Sequence, residues 1–174
     1  MKNLILIAYL DLKESIRAKW FVVYSLVFGG MIALFFIAGV TQSQVMGFSG
    51  LSRLLLMYIQ VTIVILPIFI LITTVRSISG DRDNHILEYM LSFPISLKQY
   101  YWGKILGRFI TVFLPVFFAM IFAVLYGAII GASVPWEIFF LYSGLLFALS
   151  SAFLGIAFFI SSFVKSSEVA LGIS

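Results

Sequence analysis

The chain has 174 residues, of which 63% are hydrophobic and 10% charged, with 11 Lys and Arg against 7 Asp and Glu. A soluble domain has about 25% charged residues, so this chain has too little charge to cover a water-exposed surface. The formal net charge of +4 is too diluted for a nucleic-acid interface. The absence of cysteine excludes a disulfide scaffold, a thiolate metal site and a cysteine nucleophile. The composition therefore predicts an integral membrane protein.

Four long apolar segments contain no charged residue, and each could cross a bilayer as a helix, which takes about 20 residues. They are residues 20–40, 54–75, 109–134 and 138–164. Their hydrophobicity is continuous instead of alternating, which argues against a transmembrane β-barrel. We predict an all-α polytopic membrane protein with four transmembrane helices in this chain. The last two segments are long enough to tilt or to extend into the interface.

Positive charge is concentrated on one side of the predicted membrane. Ten of the 11 Lys and Arg lie before residue 20, within 76–108 or after residue 164, and Arg53 lies on the other side. The positive-inside rule therefore predicts a cytoplasmic N-terminus. The four apolar segments carry no ionisable group for ion-coupled transport, so the energy for any transport is expected from outside the membrane.

Residues 1–19 precede the first span and do not resemble a signal peptide, because their short apolar run ends in charged residues and not in a cleavage site. We predict an amphipathic helix that lies in the membrane interface, with Lys13 and Arg17 on its polar face. Its apolar face is expected to comprise Leu4, Ile5, Ala8, Leu12, Ile16 and Trp20. A simple cytoplasmic extension of the first span is the alternative.

The segment 76–108, on the predicted cytoplasmic side, contains signals for two short helices. Gly80 is expected to end the second span, and Asp81 or Asp83 to cap a new helix. An apolar stripe follows, formed by Ile86, Leu87, Met90 and Leu91.

The end of this stripe is also marked. Pro94 is expected to end the new helix, because proline disfavours helical backbone at the residue before it. Ser96 can then cap a second helix that continues into the third span. A solvated interfacial loop is the ordinary interpretation of such a segment. Its length and its caps favour a docking site for a partner.

Three motifs of this segment resemble the coupling-helix region of ABC-2 type transporter permeases. They are Ile78-Ser79-Gly80-Asp81-Arg82-Asp83, the 87–96 stretch LEYMLSFPIS and Gly103-Lys104. The resemblance covers essentially the whole chain. It implies a permease subunit of an ATP-driven exporter, with a second permease copy as a homodimer and a separate ATP-binding ABC subunit in a bacterial inner membrane.

The likeness within this family is greatest to the permease of the copper-maturation transporter for nitrous oxide reductase. Met46-Gly47-Phe48-Ser49 and Leu66-Pro67 add to this likeness. It implies a role in copper-enzyme maturation, with a periplasmic accessory protein as a further partner. The family has six spans, so we expect residues 169–174 to begin a fifth.

The resemblance also implies which residues contact the ATP-binding subunit through the coupling helix. They are Asp81, Asp83, Glu88, Leu91 and Pro94. The family usually has Gly-Thr where this chain has His85-Ile86. We interpret His85 as a surface residue and not as a metal ligand, and we expect the missing glycine to favour helix at this point.

No nucleotide-binding or catalytic motif is evident in the chain. Gly103-Lys104 is followed by Ile105 and therefore does not form a Walker A loop. We predict no catalytic residue, metal ligand or cofactor, and we expect ATP hydrolysis in the separate subunit. A membrane-embedded enzyme is disfavoured, because the hydroxyl pair Ser150-Ser151 has no nearby base. A non-transporting membrane scaffold or assembly subunit is the main alternative.

Small residues recur in the predicted spans and would let helices approach closely, within one chain or across a dimer. The residues expected in helix packing are Ser25, Gly29, Gly127, Gly131, Gly144, Ala148 and Gly155. Pro67 and Pro115 are expected to kink the second and third spans.

Overall fold

The apolar segments form long helices in the computed structural model, which describes residues 2–38, 50–129 and 131–163. Within these ranges the chain contains seven α-helices and no strand. The helices are α1 (Lys2–Arg17), α2 (Trp20–Ile37), α3 (Gly50–Thr74), α4 (Arg76–Asp83), α5 (Ile86–Leu91), α6 (Leu97–Ile129) and α7 (Trp136–Phe163).

Four helices of the described residues are long and apolar enough to cross a membrane. They are Trp20–Ile37, Gly50–Asp83, Leu97–Ile129 and Trp136–Phe163, and each contains most of one predicted segment. The second of these joins α3 and α4. The 46–49 motif and the predicted start of a fifth span at 169–174 lie outside the described residues.

Helix α6 lies at the centre of the fold and contacts α1, α2, α3 and α7. Two tyrosines in the core use their hydroxyl groups to fix neighbouring helices. Tyr24 of α2 shares a 2.9 Å hydrogen bond with Thr73 of α3, and Tyr58 of α3 donates a 3.0 Å hydrogen bond to the Val116 carbonyl of α6. A buried phenol needs such a partner, so these bonds fix the rotation of α2 and α3.

Helix α1 packs along the first half of α6 at two glycines that are four residues apart. A Cβ atom at Gly103 would lie 2.7 Å from the Cβ of Ile7, and one at Gly107 would lie 2.7 Å from the backbone oxygen of Ala8. Side chains larger than hydrogen would therefore separate the two helices. This Gly-x-x-x-Gly pair is a close-packing motif that the sequence analysis did not single out.

The face of α1 that packs on α6 differs from the predicted apolar face. Ile7, Ala8, Asp11 and Ser15 are buried, whereas Ile5 and Ile16 are exposed. The apolar face was predicted to lie in the membrane interface, and this stays a prediction. The face that packs on α6 is a different one, and it includes the buried Asp11. A left-handed residue, Lys19 (φ 63°), separates α1 from α2.

The small residues that were predicted for helix packing differ in their surroundings. Gly127 contacts α3, since its Cβ position lies 2.9 Å from Leu51 Cδ1. Gly29, Gly144 and Gly155 have open space around their Cβ positions. Ser25 and Ala148 are exposed.

Gly131 ends α6 instead of packing against another helix. Its φ is 80°, its N–H bonds the Ala128 carbonyl, and the Ala132 N–H bonds the Gly127 carbonyl. These two bonds form a Schellman motif, in which glycine adopts the left-handed conformation without strain. The structure thus explains Gly131 by its position just beyond a helix end. Pro67 and Pro115 lie inside α3 and α6, and both helices continue through the proline.

The contact at Gly107 makes a testable prediction. We expect Gly107→Ala to destabilise the protein by about 1–3 kcal/mol, because the new methyl group meets the rigid backbone of α1. The control is Gly144→Ala in α7, where the Cβ position is open. Thermal unfolding in detergent, followed by circular dichroism, measures both. A Gly107→Ala protein as stable as the control would contradict the close contact.

Candidate functional site

The helix of the second span continues past Gly80 and ends at Asp83. Val75 has helical dihedral angles (φ −58°, ψ −27°), and α4 follows α3 directly. The predicted break at Gly80 was therefore wrong. The break comes at His85, whose φ is 57°, so the helix expected at His85 from the missing glycine is also wrong. Asn84 helps to end α4, because its side chain donates a 2.8 Å hydrogen bond to the Gly80 carbonyl.

Asp81 lies inside the protein and does not cap a helix. Its carboxylate accepts a hydrogen bond from the Tyr100 hydroxyl and forms an ion pair with Lys104. His85 is the N-cap residue of α5, and its side chain makes no capping hydrogen bond. The predicted cap by Asp81 or Asp83 was therefore wrong. Asp81 instead connects α4 to the start of α6.

Four charged side chains form one buried group, which we call the charge cluster: Asp11, Asp81, Lys104 and Arg108. Lys104 Nζ lies 3.9 Å from Asp11 Oδ1, and Arg108 Nε lies 3.3 Å from Asp11 Oδ2. Lys104 also donates a 3.0 Å hydrogen bond to the Ser77 carbonyl. The cluster has two positive and two negative groups and joins α1, α4 and α6.

The charges of the cluster compensate one another in a place where water is largely excluded. Burial raises the pKa of the Asp11 carboxyl, and the Arg108 guanidinium and the Lys104 ammonium oppose this rise. Removing one partner of such a group leaves a buried charge without compensation, which costs more than the intact pair contributes. The cluster therefore fixes the arrangement of the three helices.

The sequence contains signals for this cluster, but only the fold brings the residues together. Lys104 and Arg108 are four residues apart on α6 and so lie on one face of the helix. Each directly follows a glycine of the Gly-x-x-x-Gly pair. Asp11 is the acidic residue of α1 that lies among its small and apolar residues.

Helix α7 is bonded to the first turn of α4. The Ser161 hydroxyl accepts hydrogen bonds from the backbone N–H groups of Ile78 and Ser79, at 3.0 and 3.1 Å. Because α4 continues α3, Ser161 joins α7 to the junction of these two helices. Arg82 adds a 3.4 Å hydrogen bond to the Ser162 carbonyl.

The other predicted docking residues lie outward or in the turn after α5. Asp83 ends α4 and is exposed. Glu88 is exposed on α5, and its carboxylate lies 2.9 Å from His85 Nδ1. Leu91 is the last residue of α5, and its side chain lies outside the described part. Pro94 is exposed, and its carbonyl accepts a 3.3 Å hydrogen bond from Asn3.

The turn after α5 has the predicted geometry. The Ile95 N–H bonds the Phe93 carbonyl across Pro94, which makes a tight turn. The Ser96 N–H then donates to Gln99 Oε1, and the Gln99 N–H donates to Ser96 Oγ, both at 3.2 Å. These two bonds form a capping box at the start of α6. The predicted cap at Ser96 is confirmed.

Apolar side chains are exposed beside these charges. Tyr89 is 66% exposed and Phe93 46% exposed, and their rings meet edge to face at 5.3 Å. Ile86 is also exposed. We call Ile86, Glu88, Tyr89 and Phe93 the α5 surface. Aromatic residues that are exposed outside the membrane helices are typical anchors of protein–protein contacts.

Residues 5–174 match the sequence model of the ABC-2 family transporter protein. The chain belongs to this family. No curated protein sequence shows significant similarity to it. With four helices that can cross a membrane, this ABC-2 chain is a multi-pass membrane protein and a permease component of an ABC exporter.

Family membership sets the energetic role of the chain. An ABC-2 permease is a membrane transport component that is usually not itself catalytic, and it works with an ATP-binding ABC subunit. Among the described residues, no group of three His, Asp or Glu side chains could hold a metal ion. The charge cluster and the α5 surface are therefore parts of a permease component.

The charge cluster makes a second prediction. We expect Asp11→Asn to lower the free energy of unfolding by about 3–5 kcal/mol, because Arg108 and Lys104 lose a buried counter-charge. Chemical or thermal unfolding of the detergent-solubilised protein measures the loss.

Two variants test the cause of this loss. Glu88→Gln removes a carboxylate from an exposed pair and is expected to leave stability unchanged. Asp11→Leu combined with Arg108→Leu removes both partners and should recover most of the loss. Equal stability of Asp11→Asn and the native protein would show that the cluster does not hold α1 in place.

Proposed function

We propose that α5 is the coupling helix of this ABC-2 permease and that the α5 surface docks onto the ATP-binding subunit. The observation that carries the proposal is the exposed aromatic pair formed by Tyr89 of the short helix α5 and Phe93 just after it, between two candidate membrane spans. An ABC permease needs a contact of this kind, since hydrolysis in a separate subunit must move the membrane helices.

The docking residues expected from the sequence divide into two roles. We propose that Asp83, Glu88, Leu91 and Pro94 belong to the contact, together with Tyr89 and Phe93. Asp81 is 7% exposed and bonded to Tyr100 and Lys104. Its proposed role is to position α4 relative to α6.

Movement of α5 would reach the membrane helices through α4. Helix α4 continues α3, is held to α6 by Asp81 and Lys104, and is held to α7 by Ser161. A displacement of α5 towards or away from the membrane would tilt the ends of these three helices together. We propose this rigid-body movement as the step that converts ATP hydrolysis into transport.

The assembly is proposed from the family resemblance and from the open helix faces. We propose a homodimer in the inner membrane with a cytoplasmic N-terminus. Gly29 of α2 and Gly144 and Gly155 of α7 offer surfaces where another helix could approach closely. A role in maturation of a periplasmic copper enzyme, with an accessory protein, rests on the sequence resemblance alone.

Docking can be tested by co-purification of the permease with its ATP-binding subunit. We expect Tyr89→Ala to weaken the complex by about 30-fold or more, because an aromatic anchor contributes at least about 2 kcal/mol. Asp83→Lys with Glu88→Lys should also weaken it. The matched controls are Tyr9→Ala, which is similarly exposed on α1, and Glu137→Lys at the start of α7.

ATP hydrolysis by the complex gives a second measurement. The docking variants should lose the stimulation of hydrolysis that the permease causes, and the controls should keep it. Unchanged co-purification together with unchanged stimulation would exclude the α5 surface as the contact.

Orientation can be tested by labelling, because the chain contains no cysteine that would react. We expect Ser92→Cys, after α5, to react with a membrane-impermeant maleimide only in inverted vesicles. Ser133→Cys, between α6 and α7, should react in intact spheroplasts. The two positions lie at opposite ends of α6, which is about 50 Å long at 1.5 Å per residue. The reverse labelling pattern would overturn the cytoplasmic N-terminus.

A further inference from the structure

A groove with apolar walls and a volume of about 310 Å³ lies beside the start of α6, against α4, α5 and the end of α7. This volume is at the lower end of the range for small-molecule sites. The apolar walls include Ile78, Leu87, Leu97, Tyr101 and Trp102. Leu97 is 61% exposed and Trp102 59% exposed. The groove therefore opens on an apolar part of the protein surface.

The groove lies where the candidate membrane spans reach the boundary of the bilayer. Ser162 lines it and is two residues before the end of the charge-free segment 138–164, and Ile78 follows the charge-free segment 54–75 by three residues. At 1.5 Å per residue, both positions are within about 5 Å of the ends of these segments. Trp102 fits this depth, because tryptophan is enriched between lipid and water. Phospholipid headgroups therefore surround the groove, and acyl chains lie next to its apolar walls.

The charged residues that line the groove are both positive. They are Arg82 and Lys98, and no acidic residue is among the described residues that form the lining. Arg82 donates a 3.4 Å hydrogen bond to the Ser162 carbonyl, which holds its guanidinium at the groove. A guanidinium has five N–H donors, so Arg82 can bind an anion at the same time. Lys98 is exposed. The groove thus suits a ligand that combines apolar chains with a negative group.

We propose that this groove binds an anionic phospholipid. The phosphate oxygens accept hydrogen bonds from Arg82 and Lys98, and an acyl chain packs against Leu97, Tyr101 and Trp102. A zwitterionic phospholipid would place its ammonium group beside two cations, so a headgroup with a net negative charge binds better.

The proposed lipid site differs from the proposed contact with the ATP-binding subunit. Leu87 of α5 forms part of the groove, but none of the four residues of the α5 surface lines it. Occupation of the groove by lipid needs no second protein. The permease alone is therefore sufficient for the test, and the result does not depend on whether α5 docks.

Native mass spectrometry of the purified full chain tests the proposal, with an equimolar mixture of phosphatidylglycerol and phosphatidylcholine as the probe. Phosphatidylglycerol has a net negative charge, whereas phosphatidylcholine is neutral. We expect the native protein to retain phosphatidylglycerol at least about tenfold better, because each Lys or Arg near the lipid surface favours an anionic lipid by about fivefold. The ratio of the two lipids is measured within one sample, so the yield of a variant does not affect it.

Three variants separate the contributions of charge and apolar contact. Arg82→Gln with Lys98→Gln should remove the preference for phosphatidylglycerol. Lys98→Gln alone should lower it by about fivefold. This single variant keeps the bond between Arg82 and Ser162, so it tests the site even if the double variant folds poorly. Trp102→Ala should lower retention of both lipids by about threefold or more and leave their ratio unchanged, because it removes apolar contact only.

Matched controls change the same residue types outside the groove. Lys13→Gln with Arg17→Gln removes two charges from exposed positions of α1 and should keep the native lipid ratio. Trp136→Ala changes a tryptophan at the start of α7 that is 55% exposed, and it should keep the native retention. Circular dichroism checks the helix content of every variant.

Four results would overturn the proposal. The first is equal retention of the two lipids by the native protein. The second is a native lipid ratio in the double variant, and loss of binding to the ATP-binding subunit in that variant would then identify a protein contact. The third is an equal loss of preference in the control on α1, which would assign the preference to the overall charge. The fourth is displacement of bound lipid by soluble glycerophosphoglycerol or inorganic phosphate at the concentration of the lipid, which would identify a site for a soluble phosphate compound.

Discussion

The arrangement of α1, α4 and α6 depends on the burial of Asp11 between Lys104 and Arg108. Burial of apolar surface does not favour one helix arrangement over another in a membrane, because lipid tails are as apolar as leucine side chains. A buried charge does favour one arrangement, since its burial is tolerated only when it lies opposite its counter-charge. Asp11 therefore fixes the rotation of α1, and the two glycines of α6 let α1 come close enough for the ion pair.

The same reasoning applies deeper in the fold, where single hydrogen bonds replace ion pairs. Tyr24 and Tyr58 each join two helices by one hydrogen bond, and Ser161 joins α7 to α4 next to the bond between Arg82 and Ser162. Each bond satisfies a group that would be costly to leave unpaired, and so each favours one rotation of its helix. The polar contacts are few in the described residues, but they specify which of many similar apolar packings the chain adopts.

The sequence was sufficient for properties that depend on local composition. The four long helices, the turn at Pro94 and the cap at Ser96 follow from hydrophobic length and from turn and cap preferences. Properties that depend on contacts between distant residues were not accessible. Gly80 has the composition of a helix break but lies within α4, whereas His85 adopts the left-handed conformation that glycine would adopt most easily.

Asp81 and Asp83 belong to one sequence motif but lie in different environments, one buried and one exposed. The two acids are two residues apart on α4, so their side chains point about 200° apart around the helix axis. One must face the protein interior if the other faces solvent. Asp81 accordingly binds Tyr100 and Lys104, while Asp83 lies at the surface. A motif with two acids at this spacing can therefore hold the helix to the membrane domain with one carboxylate and leave the other at the surface.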